Sequence, residues 1–227
     1  QAEAVDSTCW LCAWRVSDVE RWLGREHDPA RVQRYLEHAS LFPDWYQSLM
    51  RASQLRVAPR IDTLRHVTER WRDFFLGHLE LGDELFHRGP LVGYRRAEAI
   101  PALETAARRR PDFAPAWEHL AWVDIAEGDS AGAARALAEY RSTVGNDRFA
   151  MTLGALLAVA YAFRFLPEGA AVAALQAELG NAVVGASPDL AAGPRMLGSF
   201  DAPRGEVLFG EMLASRPERN LQRSGLI

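Results

Sequence analysis

The sequence has no lysine; every one of its 26 Lys/Arg positions is arginine. That absence removes the lysine of a Walker-type phosphate loop, the Schiff-base lysine and the ATP-pairing lysine of kinases. A GC-rich genome, which favours Arg and Ala codons, would account for the bias. Cysteine is nearly absent too, with only Cys9 and Cys12. Residue 13 is Ala, so the pair lacks the His of a c-type haem attachment site. No second C-x-x-C or H-x-x-x-H pair supplies the four ligands of a structural zinc site. The run Cys9-Trp10-Leu11-Cys12-Ala13-Trp14 therefore reads as an apolar helix start carrying two free thiols, which suit a reducing compartment.

Long hydrophobic runs are also missing. The longest uncharged apolar stretch, Phe149 to Phe163, is bounded by Arg148 and Arg164. As a helix it rises only about 22 Å against a hydrocarbon core of about 30 Å, so it reads as a buried helix. Gln1 to Asp6 carries no charged and apolar leader. These readings predict a cytoplasmic protein with no direct membrane span. A net charge of −4 makes the chain a poor general binder of nucleic acid, whose affinity rests on phosphate neutralisation. The densest basic cluster, Arg108-Arg109-Arg110, precedes Pro111, where a helix should end and where cations complement its dipole.

What is present is helical. The chain is 227 residues long, 48% hydrophobic and 25% charged, enough for one large domain or a repeat array. No stretch of four or more strictly alternating apolar and polar residues is bounded by turn residues, so strands are unsupported. Breakers recur at Gly24, Asp28-Pro29, Pro43, Pro59, Gly89-Pro90, Pro111, Gly128-Asp129, Gly145-Asn146, Pro167, Ser187-Pro188, Pro203 and Pro217. The pieces between them are mostly of ordinary helix length, and short connections favour antiparallel neighbours. After Gly145, Phe149–Phe163, Gly169–Leu179, Leu190–Leu197 and Arg204–Ala214 read as helices.

A period appears in the middle of the chain. Trp117, Leu120 and Ala121 precede the turn Gly128-Asp129, and Ala133 and Leu137 follow it. Upstream, Ala99, Leu103 and Ala106 repeat the second-helix spacing before Pro111, and Ala99 to Ala133 and Leu103 to Leu137 are each 34 residues. The pattern resembles the tetratricopeptide repeat, a helix-turn-helix unit of about 34 residues. It departs from that family at Asp124, where an aromatic is usual, at Tyr140 in place of Ala, and at Gly145 in place of Pro. The link from His87 to Tyr94 is about five residues longer than the family's turn. Val16, Ser17, Trp22-Leu23-Gly24, Val32, Leu36 and Ala39 form a degenerate earlier unit. Asp6-Ser7 then resembles the tail of a repeat before residue 1, as if the chain were cut from a longer array. Residues 45 to 75 match poorly, and Pro59 splits them.

The resemblance implies an all-α fold: a right-handed superhelical solenoid of antiparallel helix pairs over residues 1–146, best matched over 75–146. Residues 147–227 would be divergent repeats or a helical cap. It also implies a concave groove lined by first helices. Carried over, its lining is Trp14, Asp18, Arg21 and Trp22 in the first unit, Leu79, Asp83, Phe86 and His87 in the second, and Glu118, Trp122 and Ile125 in the third. Such a lining suits a helix or extended segment with apolar anchors and some basic residues.

No G-x-S-x-G, H-E-x-x-H or G-x-G-x-x-G motif occurs. The closest approach to a metal cluster is His78, Glu80, Asp83, Glu84 and His87. Glu80, Asp83, Glu84 and His87 share one helix face, which reads as solvated or paired with arginine. The expectation is a non-catalytic scaffold, without metal or cofactor, that binds another protein or another domain of its own polypeptide. By resemblance, the first alternative is a regulatory segment of a larger bacterial signalling protein, a kinase or transcription activator. The second is a metal or redox protein using the Glu80–His87 face or the Cys9/Cys12 pair.

Overall fold

A computed structural model describes residues 8–22, 28–146, 148–182, 198 and 203–214. Among them are eleven α-helices, three short 3-10 segments and no strand. The helices are α1 Trp10–Trp22, α2 Pro29–Glu37, α3 Asp44–Ser53, α4 Val57–Arg70, α5 Phe75–His87, α6 Ile100–Arg109, α7 Ala114–Glu127, α8 Ser130–Thr143, α9 Arg148–Phe165, α10 Glu168–Ala182 and α11 Pro203–Ala214. The chain forms two compact units, residues 1–77 and 78–227.

Helix ends follow local chemistry. Asp28 caps α2 by accepting from the Ala30 N–H at 2.9 Å, with Pro29 at the first helical position. Helix α7 stops at Gly128, whose φ of +82° is left-handed, a conformation that favours glycine. Asp129 then caps α8 by accepting from Ala131 and Gly132 N–H. A two-residue connection forces α8 back along α7. Helix α6 ends at Arg109, before Pro111, with Arg108 and Arg109 in its last turn, as the sequence predicts. Pro59 does not act as a breaker. It sits in the first turn of α4, where its missing N–H has no intrahelical partner to lose, and the break falls at Gln54–Arg56 instead. Leu190–Leu197, Leu23-Gly24, Asp6-Ser7, Ser187-Pro188 and Pro217 lie outside the described residues.

In the N-terminal unit α1 packs on α2, and α3 on α4. Leu49, Met50, Ile61, Leu64 and Val67 form the aliphatic core. Rings bridge its elements: Trp14 meets Tyr46 edge-on at 5.4 Å, and Tyr46 meets Phe74 at 5.3 Å. Arg31 on α2 reaches Glu20 on α1 at 2.7 Å.

The cysteines are not free. Cys9 and Cys12 are joined in a disulfide across the start of α1. Free thiols therefore no longer argue for a reducing compartment.

In the C-terminal unit α7 packs most extensively on α8 and also meets α6 and α9. Helix α9 packs on α8 and α10, and α11 lies against α9 and α10. The apolar run beginning at Phe149 is thus covered by other helices, and no described helix is long and apolar enough to cross a membrane. Ala99, Ala106, Ala121 and Ala133 are all fully buried, the small residues that let helices approach.

Two departures from the repeat pattern are matched by a glycine on the facing helix. A Cβ on Gly132 would stand 2.6 Å from an Asp124 carboxylate oxygen, and one on Gly154 would stand 3.2 Å from the Tyr140 ring. The Tyr140 hydroxyl donates to the Ala150 carbonyl at 2.8 Å. Gly82 makes the closest approach to an apolar side chain, since a Cβ there would lie 2.5 Å from two side-chain carbons of the fully buried Leu103.

Candidate functional site

The expected groove residues divide sharply. Leu79, Phe86, Trp122 and Ile125 are buried in the core of the C-terminal unit, and Trp14 in that of the N-terminal unit. Asp18 is also buried, and Arg15 donates to it at 2.9 Å. Arg21 and Trp22 belong to α1, but their side chains lie outside the described residues. Large apolar side chains at groove positions have closed on their own unit, because burying them removes hydrophobic surface from water without a partner. Accessible surface remains at Asp83, His87 and Glu118, with side-chain exposures of 26%, 55% and 14%.

These three meet a residue that sequence reasoning missed, His119. Asp83 and His87 stand one turn apart on α5, and His119 comes from α7. His119 Nε2 lies 3.0 Å from Asp83 Oδ1 and 3.2 Å from His87 Nε2. His87 Nε2 lies 3.6 Å from the same Asp83 oxygen. The other nitrogen of His119, Nδ1, is 2.8 Å from the Pro115 carbonyl oxygen and 2.8 Å from a Glu118 carboxylate oxygen. Both are acceptors, so Nδ1 carries a proton, and Nε2 faces Asp83 and His87. Phe86, expected as a groove residue, is instead a wall behind the two imidazoles. Its ring meets His87 edge-on at 4.7 Å and His119 at 5.8 Å.

The electrostatics differ for the two rings. Burial would lower the His119 pKa, but Glu118 and Asp83 outweigh it and raise the value well above that of free histidine. Burial lowers the His87 pKa, and Asp83 opposes the shift only in part. His87 is therefore the more readily neutral of the two. One turn along, Glu84 is fully buried and held by Arg88 at 2.5 Å, so it is committed to an ion pair. Glu80 is buried as well. The acidic face of α5 is thus not simply solvated: its members are buried or engaged.

The separation in sequence offered a signal for His119. It follows His87 by 32 residues and Asp83 by 36, bracketing the 34-residue period. In a repeat array, residues about one period apart on equivalent helices lie side by side.

No protein-family model matches the chain, and neither a curated protein nor a solved structure matches it.

Proposed function

We propose that this chain is a non-catalytic helical-repeat scaffold of the tetratricopeptide kind, which binds another protein or another domain of its own polypeptide. The observation that carries this reading is the packing of α7, which touches both the next helix, α8, and the next but one, α9. Stacked pairs that contact only near neighbours are the hallmark of repeat arrays. The buried pair Ala99 and Ala133, one period apart, supports it.

With most expected groove side chains in the core, the binding surface shifts to the elongated link between α5 and α6. There a 3-10 turn, Gly89–Val92, carries Leu91 at 76% and Val92 at 41% exposure. Paired exposed aliphatics on such a turn suit an apolar anchor of a partner. The test is affinity purification from the source cells with the wild-type chain and with Leu91→Asp/Val92→Asp. The wild type should retain a partner at fixed stoichiometry. The double variant, with unchanged circular dichroism, should lose it. A variant that keeps every partner removes this surface, and a wild type that retains no partner removes the scaffold reading.

A further inference from the structure

We propose that Asp83, His87 and His119 form a binding site for a divalent transition metal of the zinc class, with Glu118 orienting His119 from behind. The donor atoms are Asp83 Oδ1, His87 Nε2 and His119 Nε2. Their mutual separations of 3.0, 3.2 and 3.6 Å form a nearly equilateral triangle. Among the described residues, these three form a group whose ligand atoms all lie within 4.8 Å of one another.

The size of the triangle matters. Ligands about 2.1 Å from a tetrahedral ion stand about 3.4 Å from one another. A point about 2.1 Å from all three donors lies just off their plane, as three protein ligands and one open position require. Without an ion, a proton on His119 Nε2 faces the same two acceptors, His87 Nε2 and Asp83 Oδ1, and metal binding would displace it.

The donor set selects the metal. Two imidazoles and one carboxylate suit zinc and its first-row neighbours, whereas calcium and magnesium favour all-oxygen sets. The surroundings also fit. Metal-bound histidines commonly donate their second ring N–H to a carboxylate or a backbone carbonyl, and His119 Nδ1 faces both, at Glu118 and Pro115. The Phe86 ring restrains both imidazoles, so the rings are oriented before any ion arrives. His87 is 55% exposed, which leaves the ion an entry path and an open coordination position.

The test uses the untagged chain, stripped with chelator, without reductant so that Cys9 and Cys12 stay paired. Zn2+ is titrated by calorimetry and Co2+ by visible absorption. The expected result is one equivalent bound, with cobalt bands of a low-coordinate nitrogen–oxygen site. His87→Ala and His119→Ala should each abolish the bands, and His87 is exposed enough for its variant to fold. Glu118→Gln should weaken binding by about 10- to 100-fold. His66→Ala, which removes an exposed His–Glu pair on α4, should leave binding unchanged. Absence of Zn2+ binding by the folded wild-type chain would overturn the proposal. So would equal affinity in the His87→Ala and His119→Ala variants, which would mark the cluster as an ion-pair clasp only. Neither outcome touches the partner surface at Leu91 and Val92.

Discussion

Ring contacts and ion pairs join helices in both units, but close approaches of a glycine to a facing side chain are more numerous in the C-terminal unit, at Gly82, Gly132 and Gly154 against Gly77 in the N-terminal one. Trp14, Tyr46 and Phe74 form a chain of edge contacts in the N-terminal unit. Gly82, Gly132 and Gly154 each admit a side chain of a facing helix in the C-terminal unit. The units therefore tolerate change differently. Ring contacts can adjust by rotation, while a glycine against a buried side chain has no slack, because close-packed interiors leave no room for an added carbon.

The largest effect should follow from filling the tight apolar contact at Gly82. Gly82→Ala puts a methyl into Leu103 and should cost about 3 kcal/mol in urea unfolding. A cost below about 1 kcal/mol would show that this packing yields as readily as the ring contacts.

Next comes Asp124, buried where the repeat pattern has an aromatic. Burial, with the nearby Asp129 carboxylate, raises its pKa from 3.8 to about 6. The folded state thus favours the protonated acid. Its stabilising contribution is complete below the unfolded value and is lost as pH rises through about 6, where the folded carboxyl ionises. Between pH 4 and pH 7.5 this one group should withdraw about 2 kcal/mol. Asp124→Asn should remove that slope from the difference between variant and wild-type pH–stability curves. Parallel curves would refute the assignment.

A smaller effect belongs to the N-terminal unit. Glu20→Ala removes the half-buried partner of Arg31 and should cost about 0.5 to 1 kcal/mol, less in high salt. The smallest change has the opposite sign. Gly210 lies in α11 with open space where a Cβ would go, so Gly210→Ala should stabilise by about 0.5 kcal/mol. Thermal unfolding of Gly210→Ala beside Gly82→Ala separates helix propensity from packing.

The sequence disclosed the helical class and many helix limits because both are written locally. Asp28-Pro29 and Gly128-Asp129 are cap chemistry, and Pro111 marks a stop. Pro59 misled because a proline in a first turn and a proline after a helix look the same without the cap residue. The groove lining misled for a different reason. Trp122 and Ile125 are apolar on either side of a helix, and only packing decides which side meets a neighbour. Two of the three donors were visible as Asp83 and His87, one turn apart on α5. His119 was not, because joining it to them needs the register of two helices rather than of one.

That register is the claim on which the site rests, and a double-mutant cycle measures it directly. Asp83→Ala, His119→Ala and the double variant are unfolded by urea at pH 6 in the presence of chelator. Contact at 3.0 Å between partly buried groups predicts a coupling energy of about 1 kcal/mol or more. Additive effects, with coupling near zero, would contradict the apposition of α5 and α7 at this point.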